Sequence, residues 1–67
     1  MDIDKIMDLE VAIVRGADFL DRKVGDITML LEDELPVPPG AVASVQEDIS
    51  ILRKHLDDLE HELTATT

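Results

Sequence analysis

The stretch VASVQEDISILRKHLDDLEHEL, from Val42 to Leu63, decides the reading of this chain. Seven of its aliphatic residues, Val42, Val45, Ile49, Leu52, Leu56, Leu59 and Leu63, recur at alternating steps of 3 and 4. A period of 3.5 keeps one seam of an α-helix turned toward a partner helix. β-branched residues fill the first half of the repeat and leucines the second, with charged and polar residues nearly everywhere else. The pattern predicts an all-α protein that works by packing helix against helix.

Working back from Val42, the chain meets Leu35-Pro36-Val37-Pro38-Pro39-Gly40, which holds all three prolines. Pro36 disfavours helical geometry at Leu35, and Pro38 and Pro39 have no backbone N–H to donate. A short stiff connection between two periodic segments reads as the turn of an antiparallel helical hairpin. The expected organisation is a single domain over 1–67, with helix 1 at about 3–33, a turn at 35–40 and helix 2 at about 41–63. Helix 2 has two candidate starts: a proline in its first turn at Pro39, or a capping box at Ser44-Val45-Gln46-Glu47. The repeat reaches back to Val42 and favours the earlier one.

Before the turn, Ile3, Ile6, Ile13, Leu20, Val24, Ile27 and Leu31 fit one heptad frame, with Glu10 and Ala17 at two further seam positions. Asp2 or Asp4 can cap the start. Gly16 and Gly25 each follow basic residues closely, as C-terminal glycines of helices do. The apolar seam nevertheless runs in phase through both, which favours one long helix. A glycine inside a helix costs ~1 kcal/mol relative to alanine, and packing can offset that. The hairpin seam is therefore expected to join Ile13, Leu20, Val24, Ile27 and Leu31 to Val45, Ile49, Leu52, Leu56 and Leu59.

Helix 1 is the longer of the two, so its N-terminal turns are expected to project beyond helix 2. The apolar surface broadens there. Met7, Leu9, Val11 and Val14 lie outside the seam frame, and with Ile3 and Ile6 they exceed what one neighbouring helix can cover. These six, with the single aromatic residue Phe19, form the expected interface with another chain. Glu10 would need a cation if buried, and Arg15 or a residue of another chain could supply it.

Composition bounds the function. Sixteen acids oppose six bases, a formal charge of −10, and both halves of the chain are acidic. No basic patch exists to hold phosphates, so direct nucleic-acid binding is not expected. Acidity likewise disfavours anionic membranes. The longest wholly apolar run, Val11-Ala12-Ile13-Val14, is far short of a membrane span, and no basic segment precedes a signal-like apolar stretch. A soluble chain, cytoplasmic or within a particle, is the expectation. The absence of cysteine removes disulfides and thiolate metal sites.

Catalytic chemistry finds no foothold. His55, Asp58 and His61 form an HxxDxxH pattern on helix 2, with Glu62 adjacent. At 100° per residue these side chains spread too widely around one helix to ligate a single ion. Ser44, Ser50 and Thr28 have no base suitably placed, and no glycine-rich phosphate loop is present. No metal or cofactor is expected, and no enzymatic activity. The sequence thus predicts a helical hairpin with a coiled-coil-like seam that packs into a larger bundle or assembly. Its partners would be further copies of itself, a larger complex, or both, as in a small virion or assembly component. The competing expectation is a small acidic inhibitor or adaptor that occupies a basic surface of another protein.

Overall fold

A computed structural model describes residues 2–65. Two helices, α1 (Ile3–Glu32) and α2 (Pro39–Thr64), fold back on each other as a helical hairpin. Asp2 caps α1: its backbone is extended and its Oδ1 accepts a hydrogen bond from the Lys5 backbone N–H at 3.2 Å. α1 runs unbroken through Gly16 and Gly25. A β-carbon placed on Gly25 would meet nothing, and one on Gly16 would stand 3.5 Å from Leu52 Cδ1. Neither glycine ends a helix; Gly16 faces Leu52 of α2.

The stop comes at a glutamate. Glu34 adopts a left-handed backbone with φ 57°. The Leu35 N–H donates to the Leu30 carbonyl at 2.8 Å, and the Glu34 N–H donates to the Leu31 carbonyl at 3.2 Å. These two bonds are those of a Schellman cap, which usually carries glycine at the left-handed position. α2 begins at Pro39 in its first turn, after an extended Pro38 whose carbonyl accepts from the Ala41 N–H at 3.0 Å. The Ser44 capping box is not used, because Ser44 already lies inside the helix.

Three contacts fix the alignment. Lys5 Nζ lies 3.2 Å from a Glu62 carboxylate oxygen. Gly16 lies under Leu52. Lys23 Nζ donates to Ser44 Oγ at 2.7 Å and lies 2.7 Å from Asp48 Oδ2. Position numbers rise along α1 as they fall along α2, so the helices are antiparallel. The pairing of Lys5 with Glu62 also corrects one expectation. α2 reaches the N-terminal turn of α1, and the extra turn of the longer helix lies at the loop end instead.

The seam is rotated from the expected one. On α1 the row Ile6, Ile13, Leu20, Ile27 faces α2 as expected, but its companion row is Leu9, Gly16, Lys23, Leu30. On α2 the row Val45, Leu52, Leu59 faces inward, accompanied by Ala41, Asp48, His55 and Glu62. Val24 and Leu31 of α1 and Leu56 of α2, expected in the seam, are exposed, and Ile49 sits at its outer margin. The physical reason is compensation. The expected frame would set Glu10, which has no ion-pair partner among the described residues, against an apolar row. The observed frame sets Lys23 against Asp48 and Lys5 against Glu62, and lets Gly16 and Ala41 bring the backbones together.

Candidate protein-interaction surface

The rotation divides the hairpin lengthwise into unlike sides. Residues following the inward row by four share one side of their helix. On α1 these are Ile3, Glu10, Ala17, Val24 and Leu31; on α2 they are Val42, Ile49, Leu56 and Leu63. In an antiparallel pair these two rows lie on the same side of the molecule. All of these residues are solvent-exposed, from Ile3 at 64% to Ile49 at 36% among the large apolar ones. Met7 and Val14 widen the strip on α1 and are also exposed. A shallow hollow crosses between the helices here, lined by Leu20, Ile49, Leu52, Arg53 and Leu56. A second hollow lies beside Met7, Glu10, Val11, Val14 and Arg15.

The opposite side carries the polar cross-links Lys5 to Glu62 and Lys23 to Ser44 and Asp48. Their aliphatic stems and heads fill space that a second apolar row would otherwise fill. Among the described residues, Phe19, Ile51 and Met29 interrupt this side with large exposed apolar groups, at 56%, 48% and 62% exposure.

The expected interface residues divide accordingly. Ile3, Met7, Val11 and Val14 are exposed on or beside the apolar strip, while Phe19 lies on the polar side. Leu9 is a correction: at 8% exposure it is the most enclosed apolar residue of the hairpin and faces α2. Ile6 is half-buried against α2 as well. The sequence broadens around Met7 to Val14 because the two rows overlap there, one inward and one outward. Val45, Leu52, Leu59, Ile13, Leu20 and Ile27 lie half-buried between the helices.

Among the described residues, no cluster of three or more His, Asp or Glu side chains could hold a metal ion. His55 turns inward, and its Nδ1 is closed off from solvent with no hydrogen-bond partner among the described residues; Asp58 and His61 point outward. Ser44 Oγ is engaged by Lys23, and Thr28 Oγ1 donates to its own helix at the Val24 carbonyl, 2.9 Å away. Glu10 is exposed and has no ion-pair partner among the described residues. No helix of the described residues is long and apolar enough to cross a membrane.

Lys23, Asp48 and Glu62 were missed as seam residues because each is charged. A signal existed: Asp48, His55 and Glu62 recur every seven residues beside the leucine row, as do Leu9, Gly16, Lys23 and Leu30. Comparison with protein-family models, curated proteins and solved structures finds no match to this chain.

Proposed function

We propose that this chain is a non-enzymatic structural module that oligomerises or docks into a larger protein complex through helix–helix packing. The observation that supports it is the apolar strip shared by both helices. Monomeric soluble proteins rarely leave so long a contiguous apolar surface in water, and such strips mark protein interfaces. The hairpin alone encloses little: among the described residues only Leu9, at 8% exposure, is a buried apolar residue. So small a core is marginal by itself, and covering the strip would add the missing burial. Replacing Leu56 and Val24 with glutamate tests this. Assembly should be lost with helicity kept; retained assembly would refute the role of this surface.

The acidic edge of α1 favours a second reading, in which the hairpin occupies a basic surface of another protein. Asp4, Asp21 and Glu32 are exposed there without ion-pair partners among the described residues. That reading requires binding that collapses with added salt. Association through the apolar strip strengthens with salting-out ions instead. A salt titration of the native complex separates the two.

A further inference from the structure

We infer that the apolar side is covered by a second copy of this chain. The two hairpins lie face to face about a two-fold axis parallel to the helices, so that α1 of each packs on α2 of the other. The inference rests on the assembly reading above and names the partner for the same surface.

Size supports a second copy. The hairpin measures 50 × 15 × 15 Å, so one long side offers ~750 Å², against ~800 Å² per partner in a standard stable interface. Periodicity supports it too. Both exposed rows repeat every seven residues and run the length of the rod, which is the surface another hairpin of the same period would fit. A two-fold contact needs a self-complementary patch, and this one is apolar along its centre, with Glu10 its single central charge.

Charge at the rim selects the arrangement. The outer edge of α1 beside the strip carries Asp4, Glu10, Asp18, Asp21 and Glu32. Arg15 lies beside Glu10 on this edge but makes no ion pair with it, and only Asp18 has a paired base, Arg22 at 3.1 Å. Placing α1 against a second α1 would double this acidic edge. The corresponding edge of α2 carries Gln46, Arg53 and Glu60, with Asp57 behind them. Arg53 is the one cation bordering the strip on α2, and it lines the Leu20–Leu56 hollow. A two-fold axis parallel to the rod leaves heights unchanged. Arg53 of the second copy then stands level with Val14, about one helical turn or ~6 Å from Glu10. Glu10, which has no ion-pair partner within its own hairpin among the described residues, gains a cation from the second copy.

Sedimentation velocity of the full chain across micromolar concentrations tests the partner. A dimer is expected. Ile49→Glu should raise its dissociation constant by about a hundredfold, because each dimer buries two new carboxylates. Ile51→Glu, on the polar side, should leave it unchanged. A monomer at every concentration would overturn the inference while leaving docking onto a different protein intact. A dimer indifferent to Ile49→Glu would overturn both this inference and the surface assigned to assembly.

Two measurements test the arrangement. Glu10→Lys or Arg53→Glu alone should weaken the dimer by about fivefold, and the double reversal should restore it. Additive losses would overturn the pairing of α1 with α2. In oxidising buffer, Ala17→Cys mixed with Ile49→Cys should form a disulfide-linked dimer, while Ala17→Cys alone should not. Cross-linking of Ala17→Cys with itself would place α1 against α1 and overturn the arrangement.

Discussion

Asp48 and Ile49 are neighbours in sequence and belong to opposite sides of the hairpin. Asp48 turns into the polar side, where its carboxylate meets Lys23 at 2.7 Å; Ile49 turns onto the apolar strip and meets solvent. The expected distribution would be the reverse, with the isoleucine inside and the aspartate outside. The difference teaches that a chain with more apolar surface than one seam can hold must choose which part to bury by itself. Six of the fifteen inward positions named above hold charged, polar or small residues, while leucine, isoleucine and valine are left exposed on the other side. Such a division suits the assembly we propose better than isolated stability.

The comparison breaks most severely at Leu9, which anchors the inner row from which both sides extend. Leu9→Ala should cost roughly 2–3 kcal/mol, enough to unfold much of so small a domain. Thermal melts followed by circular dichroism measure this, and an unchanged melting temperature would contradict its place in the seam. Asp48→Ala should cost less, about 1–2 kcal/mol, because it strands a half-buried Lys23 that solvent can partly reach. The adjacent Ile49→Glu should leave monomer stability nearly unaltered and act on association alone. Equal effects of these two neighbours on melting and on sedimentation would erase the distinction between the sides.

Smaller changes sharpen the picture from the backbone. Glu34→Gly should stabilise the hairpin by about 1 kcal/mol, since glycine adopts the left-handed cap without steric cost. Gly25→Ala should add nearly as much, ~0.8 kcal/mol, because its β-carbon would enter open space within a helix. Gly16→Ala should gain less, as its β-carbon meets Leu52 Cδ1 at 3.5 Å. Chemical denaturation resolves increments of this size. A loss of stability at Gly25 would show that its side of α1 is not free.

Much of the fold was legible in the sequence. The prolines from Pro36 to Pro39 marked the turn, and the in-phase repeat carried α1 through Gly16 and Gly25. The seam's rotation was not legible from hydrophobicity alone. The leucine row Val45, Leu52, Leu59 has an apolar row on one flank and a charged row on the other. Counting apolar residues favours the first flank. The folded hairpin takes the second because Lys5 and Lys23 supply partners for Glu62 and Asp48 from the opposite helix. That complementarity exists only between segments, so neither periodic segment displays it when read by itself. For the same reason periodicity read within one segment places Leu9 outward and Val24, Leu31 and Leu56 inward.

Lys5 to Glu62 and Lys23 to Asp48 also act as an alignment key. Two rows with a seven-residue repeat can, in principle, slide past one another by seven and still bring apolar groups together. In this molecule such a slip would place Lys23 beside Ala41 or His55 in place of Asp48, and would carry Glu62 away from Lys5. Lys5 and Lys23 stand 18 residues apart on α1, about 27 Å along the rod, and a shift in either direction breaks both pairs. One staggered pairing is thereby singled out among several of similar apolar content, and the exposed strips on α1 and α2 are held level with each other along the length of the hairpin.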